Sequence, residues 1–198
     1  MDYQSHISNA PMPGATRLVL ASASPRRAEL LTAAGFAFDV DPVDVDESRL
    51  HGEPPTTYVD RVARLKASTS ARRHPQRIVV AADTVVVLGD SVLGKPRDEL
   101  DAREMLGQLS GRSHEVMTGI AVAASGRVRT HVERTTVWFR TLSAAEIEWY
   151  AASGEPMDKA GGYAIQGLAA RFIPRIDGSY SNVVGLPLAA LADLVDGS

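Results

Sequence analysis

The sequence predicts an α/β fold, because strand-like and helix-like patterns alternate along the chain. The strongest strand pattern covers residues 78–87, a mostly β-branched run that is typical of a central strand buried on both faces. A clear helical pattern is the spacing of Ala102, Met105 and Leu109, which places them on one helical face. Turn signals such as residues 125–126 separate the strands. There is no internal repeat and no linker that would divide the chain.

In the N-terminal half, predicted strands and helices alternate. Residues 18–21 form an apolar run, and Ser24 followed by Pro25 is typical of a helix start. Gly35 is placed to end that helix, and residues 89–90 form a turn signal. The predicted bounds are strand 18–21, helix 25–34, strand 36–40, helix 57–73, strand 78–87 and strand 91–93.

In the C-terminal half, the pattern predicts a hairpin followed by shorter elements. Ser143 and Glu146 form a capping box that fixes the start of a helix. Residues 155–167 form a glycine-rich polar stretch, for which a loop with a stiff turn is the plain interpretation. The predicted bounds are helix 102–109, strands 114–124 and 128–139, helix 144–153, strand 172–176, a turn at 177–178 and helix 186–195.

Composition restricts the class of protein. The chain has 198 residues, of which 44% are hydrophobic and 23% charged, and it has no cysteine and a net charge of -3. These values predict one globular domain at residues 17–198, preceded by a mobile tail at residues 1–16. The absence of a membrane-length apolar run, of a signal-peptide pattern and of cysteine predicts a cytoplasmic protein without a membrane partner. Because basic residues are interleaved with acids, we expect a small anionic ligand and no nucleic-acid polymer.

The turn after the first predicted strand contains candidate anion-binding residues. Ser22 lines this turn, and Arg26 and Arg27 lie in the first turn of the following helix. Free backbone N–H groups and the positive end of the helix dipole face the same turn, and a guanidinium matches phosphate oxygens two at a time. The pattern favours a phosphate site, although this stretch alone also fits an ordinary strand–helix connection with surface arginines.

Three acids are candidates for catalysis or metal binding. Asp83 interrupts the predicted central strand, where a buried carboxylate is costly unless it is paired or binds a metal. Asp83 is therefore expected to be functional. Glu47 and Asp158 are further candidates, although for Glu47 taken alone the acidic loop favours a merely solvated carboxylate.

Three lysines are candidate phosphate ligands: Lys66, Lys95 and Lys159. Lys66 is also explained by the helix dipole, because it lies in the second half of a predicted helix. Cations that hold phosphates, together with carboxylates that hold a hard divalent metal, are what phosphoryl chemistry requires. The scattered histidines argue against zinc, and the sequence has neither a Walker loop nor a GxGxxG motif.

Seven motifs, in the same order, resemble those of the Maf family of nucleoside triphosphate pyrophosphatases, and the resemblance extends from Arg17 to about Val195. The motifs are ASASPRR at 21–27, ADTV at 82–85, GKP at 94–96, SG at 110–111 with His114, EPMDKAG at 155–161, IQG at 165–167 and NVVGLP at 182–187. The resemblance implies two α/β lobes around an elongated, mixed, twisted sheet, with the substrate in the cleft between them, as in Maf and ITPase-like proteins. A homodimer is a further expectation, which rests on the family alone.

The implied reaction splits a nucleoside triphosphate into the monophosphate and pyrophosphate, with Mg²⁺ or Mn²⁺ as cofactor. By this resemblance Asp83 is the proton acceptor. The implied phosphate-binding residues are Ser22, Arg26, Arg27, Lys66, Lys95 and Lys159, and the candidate metal ligands are Glu47, Asp83 and Asp158. We therefore expect the first helix and the acid of the central strand to meet in one pocket.

The resemblance also implies a nucleobase. Arg26, Thr84 and Gln166 match the branch of the family that takes dTTP and UTP, and modified pyrimidine nucleotides remain open. The amide of Gln166 offers both a donor and an acceptor to a pyrimidine edge. An alternative from another class is a non-catalytic nucleotide-binding regulator of cell division or septum formation. A pyrophosphatase for deaminated purine triphosphates is a second alternative, but proteins of that kind lack the SxSPRR turn.

Overall fold

The strands of the protein form one mixed, twisted sheet in the computed structural model, which describes residues 16–198. The strands are β1 (Leu18–Leu20), β2 (Phe38–Val40), β3 (Val79–Leu88), β4 (Ser91–Leu93), β5 (Ser113–Ala124), β6 (Arg127–Trp138) and β7 (Arg175–Asp177). Their order is β2-β1-β3-β5-β6-β7, and β4 pairs with β3. β1 is parallel to β2 and β3, whereas the other pairs are antiparallel.

Helices cover both faces of this sheet and build two lobes. The helices are α1 (Pro25–Ala33), α2 (Pro55–Ala71), α3 (Glu99–Leu109), α4 (Ala144–Ala152), α5 (Tyr180–Val184) and α6 (Leu188–Asp196). Short 3-10 helices cover Glu155–Asp158, Ala160–Gly162 and Leu168–Phe172. In the first lobe, α1 and α6 pack on one face of the sheet and α2 packs on the other. In the second lobe, α3, α4 and the 3-10 helices pack around Phe139 and Phe172. The predicted α/β class with two lobes is confirmed.

A gap in the pairing of β3 lies between the two lobes. On the edge opposite β5, β1 pairs with Val79 and Val80, and β4 pairs with residues 86–88. Residues 81–85 between them pair with β5 alone among the described strands. Asp83 lies in the middle of this gap. The strand is buried on both faces, as predicted, yet at this one place its edge is open to a cavity.

Most element bounds agree with the sequence predictions to within two residues, but α3 begins at Glu99, three residues before the predicted start, and part of the predicted loop at 155–167 forms the 3-10 helices Glu155–Asp158 and Ala160–Gly162. Differences also occur near the C-terminus. A strand at 172–176 was predicted, but Phe172 ends a 3-10 helix and the strand covers Arg175–Asp177. The reason is Pro174, which has no N–H to donate to a strand ladder, so pairing with β6 begins only after it. The predicted turn at 177–178 is therefore one residue too early, since Asp177 still pairs with Thr136.

Two further differences concern helices. α5 was not predicted, because its five residues are too few to show a helical period. The closing helix, predicted from residue 186, begins at Leu188 after Pro187. The predicted mobile tail lies outside the described residues, apart from Thr16. Across residues 16–198, none of the helices has both the length and the apolar character needed to cross a bilayer.

Gly119 of β5, which pairs with Asp83, lets α2 lie close to the sheet. A Cβ added at Gly119 would lie 2.3 Å from the carbonyl oxygen of Val59 and 2.5 Å from its carbonyl carbon, so Gly119→Ala must displace α2. We expect the free energy of unfolding, measured in urea, to fall by about 2 kcal/mol or more.

Gly107→Ala is the matched control for this substitution. Gly107 lies within α3 and nothing lies within 4 Å of an added Cβ there, so alanine should stabilise the protein by roughly 0.5–1 kcal/mol. Equal effects of the two substitutions would contradict a close approach of α2 at Gly119.

Candidate functional site

The gap in β3 opens into a cavity of about 660 Å³ between the two lobes. Every site residue proposed from the sequence lines this cavity. They are Ser22, Arg26, Arg27, Glu47, Lys66, Asp83, Thr84, Lys95, Asp158, Lys159 and Gln166. These residues come from segments that are far apart in the chain, and the fold brings them together. The expectation that Arg26 and Asp83 share one pocket is therefore met.

Asp83 is paired with the ammonium of Lys66. The Asp83 Oδ1 atom lies 2.9 Å from Lys66 Nζ, and Glu47 Oε1 lies 2.9 Å from the same nitrogen. Asp83 and Lys66 are only 7% and 8% exposed, whereas Glu47 is exposed. Burial raises the pKa of the Asp83 carboxyl above its usual value, although the charges of Lys66 and Arg27 oppose this rise. One buried ammonium group thus pairs with two carboxylates.

Lys66 reaches Asp83 because of its place on α2. It lies two turns after Val59 on the buried face of the helix, and Val59 is the residue that packs on Gly119. The helix continues to Ala71, so Lys66 is not at its end. Ion pairing with two carboxylates, rather than the helix dipole, therefore accounts for this lysine.

Arg27 approaches the gap from α1, on the opposite face of the sheet from α2. Its Nη1 donates to Ser22 Oγ at 3.0 Å, its Nη2 to Thr84 Oγ1 at 3.2 Å and its Nε to the carbonyl of Gly185 at 2.9 Å. Burial lowers the pKa of the Arg27 guanidinium. A guanidinium has five N–H donors, so two remain for a ligand. The strand–turn–helix segment is thus braced by Arg27.

The turn before α1 differs from the prediction in one detail. The helix begins at Pro25 after Ser24, as predicted, but the Ser24 side chain caps no N–H group. Instead, Ser22 Oγ accepts from the backbone N–H of Ser24 at 3.2 Å. Ser22 therefore stabilises the turn as well as lining the cavity.

Arg26 crosses the cavity to the second lobe. Its Nη1 lies 2.6 Å from Asp158 Oδ2, and its Nη2 donates to the Asp158 carbonyl at 3.2 Å. Lys159 pairs with the other carboxylate oxygen of Asp158 and donates to the Glu155 carbonyl at 2.6 Å. Partial burial opposes the shift, but hydrogen bonds from Lys159 and Arg26 lower the pKa of Asp158 to about 2. An anionic ligand would compete with Asp158 for these two cations.

Lys95 and Gln166 are exposed side chains at the second-lobe side of the cavity. Tyr163 also lines it, and its hydroxyl lies 2.7 Å from Nε2 of His114 in the core beneath. Burial lowers the pKa of His114 to about 4, so this histidine is neutral at physiological pH. These contacts place His114 and the Tyr163 hydroxyl in the core beneath the cavity.

The carboxylates near Lys66 suit a hard divalent cation. Glu47 and Asp83 both lie beside Lys66 Nζ, and Mg²⁺ is commonly held by one or two carboxylates together with substrate phosphates and water. Within residues 16–198, no group of three or more histidine, cysteine, aspartate or glutamate side chains is arranged to hold a metal ion. Two carboxylates leave most positions of an octahedral cation to water and phosphate oxygens. The carboxylate of Asp158 is engaged by Arg26 and Lys159, and its role as a metal ligand stays a prediction.

Two contributors to the site were missed from the sequence. The hydroxyl of Tyr58, which was not among the candidate site residues, donates to the carbonyl of Glu47 at 2.8 Å. The carbonyl of Gly185 receives Arg27, and backbone atoms give no sequence signal for such a role. For Tyr58, a polar aromatic residue on an otherwise apolar face was a usable signal.

Fold and site together define an α/β protein with a cleft between two lobes that is lined by arginine and lysine side chains. The chain belongs to the Maf family, described as Maf-like protein, whose model matches residues 17–197. It is 57% identical over 185 residues to the dTTP/UTP pyrophosphatase of Anaeromyxobacter dehalogenans strain 2CP-C, covering 91% of this chain and 93% of that protein. It is 53% identical over 181 residues to the dTTP/UTP pyrophosphatase of Myxococcus xanthus, covering 91% and 92%. The resemblance seen in the seven motifs is confirmed.

Solved structures of more distant proteins share the fold. The Staphylococcus aureus Ham1 protein superposes with a TM-score of 0.54 at 13% identity, over 91% of this chain and 98% of that one. A HAM1 protein from Coxiella burnetii gives a TM-score of 0.54 at 16% identity, over 92% and 100%. At these identities the likeness supports the two-lobed architecture alone.

Removing the ammonium of Lys66 should raise the pKa of Asp83 further, because the carboxyl stays buried and loses its nearest positive charge. We expect this in Lys66→Met, with the Asp83 carboxyl followed by ¹³C NMR titration and assigned with Asp83→Asn. Lys95→Met is the control, since Lys95 lines the cavity without pairing with Asp83. An unchanged or lower pKa in Lys66→Met would contradict the assigned ion pair.

The same substitution has a pH-dependent effect on stability. When the folded-state pKa of an acid lies above its ordinary value, 3.8 for Asp83, the folded protein holds the proton more tightly than the unfolded chain. The contribution of this carboxyl group to the free energy of unfolding is then greatest at pH values below its ordinary pKa, and it is lost as the pH rises through the folded-state pKa. The unfolding free energy of Lys66→Met, relative to the parent, should therefore fall over this window.

Proposed function

We propose that this chain is a nucleoside triphosphate pyrophosphatase that hydrolyses dTTP and UTP to the monophosphate and pyrophosphate. The observation that carries the proposal is the meeting of Arg27, Lys66 and Asp83 at the gap in β3. Cations from both faces of the sheet flank one buried carboxylate there. Two relatives share more than half of their aligned residues with this chain over about nine tenths of its length. Their names, dTTP/UTP pyrophosphatase, support this substrate class.

The cations of the cleft would bind the triphosphate. Arg26, Arg27 and the free N–H groups at the start of α1 lie on the first-lobe side, and Lys95 and Lys159 lie on the second-lobe side. Fork-shaped guanidinium groups bind phosphate oxygens in pairs, and lysines neutralise charge that develops on the leaving pyrophosphate. Binding would draw Arg26 and Lys159 from Asp158 to the substrate.

Asp83 would receive a proton from the attacking water. It is the buried acid of the cavity, and burial raises its pKa above the ordinary value, which makes it a better base than a solvated aspartate. Lys66 keeps the carboxylate oriented through its 2.9 Å contact with Oδ1. The water would attack the α-phosphorus in line with the leaving pyrophosphate.

Glu47 and Asp83 would hold Mg²⁺ or Mn²⁺ together with the phosphates, with Asp158 as a candidate third ligand. When bound, such a cation supplies charge neutralisation and polarises phosphoryl oxygens. Lys66 lies between Glu47 and Asp83, so it sets where the two carboxylates point.

Base selection would fall to residues on both sides of the cleft. Gln166 is exposed into the cavity, where its amide can pair with a pyrimidine edge. Arg26 faces it from the first lobe, while the Thr84 hydroxyl is bonded to Arg27 and lies 2.9 Å from Thr118 Oγ1. Thr84 would therefore act mainly through the position of Arg27. A single two-lobed domain, a cytoplasmic location and a homodimer are further parts of the proposal.

The activity is tested with a panel of nucleoside triphosphates. We expect pyrophosphate release from dTTP and UTP, faster than from dCTP and from the purine triphosphates, and loss of release after chelation with recovery on adding Mg²⁺ or Mn²⁺. Pyrophosphate and the monophosphate should appear in equal amounts. Tight dTTP binding without product would instead support the non-catalytic regulator, and preference for a deaminated purine would reject the pyrimidine assignment.

Asp83→Asn tests the proposed base. The amide keeps the shape of the side chain but accepts no proton, so kcat for dTTP should fall by about 100-fold or more while the fold is retained. Asp90→Asn is the matched control, because Asp90 is exposed in the turn between β3 and β4 and does not line the cavity. Hydrolysis of dTTP by Asp83→Asn at the parental rate would show that Asp83 is not the base.

A further inference from the structure

We propose that Glu53, which is buried, and Arg61, which is half-buried, form a positioning pair that holds Glu47 in the cleft. The inference rests on the proposed function, because it assigns Glu47 a role toward substrate or metal. Its structural part concerns the irregular segment between β2 and α2, residues 41–54, which we name the acidic loop. Neither Glu53 nor Arg61 lines the cavity, so both would act on the site through Glu47.

The acidic loop needs an anchor because it contains no helix or strand. Its fourteen residues, 41–54, lie outside the strands and helices, and they have few backbone hydrogen bonds, such as those from Asp41 N–H to the Leu20 carbonyl at 3.0 Å and from Glu53 N–H to the Leu50 carbonyl at 3.1 Å. Ordering a backbone with so few hydrogen bonds costs conformational entropy at every residue. Glu47 lies in the middle of this loop and is exposed, yet its carboxylate has to stay beside Lys66.

Glu53 supplies the buried half of the anchor. Its side chain is 5% exposed, and Arg61 binds it through two nitrogens, with Nε 2.6 Å from Oε1 and Nη2 2.9 Å from Oε2. Oε2 also accepts from the backbone N–H of Leu50 at 3.0 Å, and the Glu53 carbonyl accepts from Arg49. The Arg61 hydrogen bonds lower the pKa of Glu53 to about 2, so the pair is ionised at neutral pH.

Arg61 and Tyr58 extend the anchor to Glu47 itself. Arg61 Nη2 donates to the carbonyl of Ser48 at 2.9 Å, and the Tyr58 hydroxyl donates to the carbonyl of Glu47 at 2.8 Å. The Arg61 guanidinium also lies 5.6 Å from the centre of the Tyr58 ring. Two adjacent carbonyls of the loop are therefore held by two side chains one turn apart on α2.

The same helix thus holds both ends of the Glu47–Lys66 pair. The first turns of α2 bind the backbone of the loop, and Lys66 farther along binds the Glu47 carboxylate. Because α2 is fixed on the sheet at Gly119, the distance from Glu47 to Asp83 is set by one rigid element. Loss of the Glu53–Arg61 pair would free the loop while leaving Lys66 and Asp83 in place.

The experiment compares Glu53→Gln, Arg61→Gln and the double variant with the parent protein. Amide hydrogen exchange, read by mass spectrometry on peptides covering residues 44–52, reports loop anchoring without any substrate. The Mg²⁺ concentration for half-maximal dTTP hydrolysis and kcat at saturating Mg²⁺ report the effect on the site. Thermal unfolding reports overall stability.

We expect about tenfold faster exchange in the loop and a roughly tenfold higher Mg²⁺ requirement in each single variant, with kcat at saturating Mg²⁺ changed less than threefold. Because the two residues act as a unit, the double variant should resemble the single variants instead of showing the product of their effects.

Arg64→Gln is the matched control. Arg64 lies on α2, three residues beyond Arg61, and contacts Asp60 and Thr130 instead of the acidic loop. It should change neither exchange at residues 44–52 nor the Mg²⁺ requirement.

Three results would overturn the inference. They are unchanged loop exchange in Glu53→Gln, a loss of kcat without a change in Mg²⁺ requirement, and multiplicative effects in the double variant. If the parent protein does not hydrolyse dTTP at all, the proposed function fails. The exchange measurement then still decides whether the pair anchors the loop.

Discussion

The arrangement of the site depends on one buried ion pair, between Lys66 and Asp83, at a gap in the sheet. A carboxylate in the central strand would be costly without this ammonium, and the ammonium would be equally costly on the buried face of α2. The gap between β1 and β4 gives the pair access to the cavity. The strand can therefore be part of the core and of the site at once.

Charge around this pair is arranged on two scales. Close to Asp83, Arg27 and Lys66 approach from opposite faces of the sheet and hold the strand, the turn and the acidic loop in place. Farther out, Arg26 joins the two lobes through Asp158. Lys66 is buried and Arg27 is half-buried with three hydrogen bonds, whereas Asp158 is exposed, so the outer contact is the one that a ligand can exchange at low cost.

Much of this was predictable from local signals. Local signals identified residues that all line one cavity. These signals were an acid within a buried strand, two serines and two arginines at a strand–helix turn, and lysines near turns. Errors arose where the local signal was absent or misleading. Pro174 shortened a strand that its neighbours favoured, and α5 was too short to show a period. Glu53 was missed, because its partner Arg61 lies eight residues away across a helix start.

By itself, the sequence determined the alternation of strands and helices and the types of side chain that polyphosphate chemistry requires. These follow from periodicity and residue chemistry, which are properties of short segments. Only the tertiary structure decided which charges meet: Arg26 pairs with Asp158 across 132 positions of the chain. Such pairings depend on the order of strands in the sheet and on the depth at which α2 packs at Gly119. Both are set by contacts between distant segments, for which a single sequence contains no local pattern.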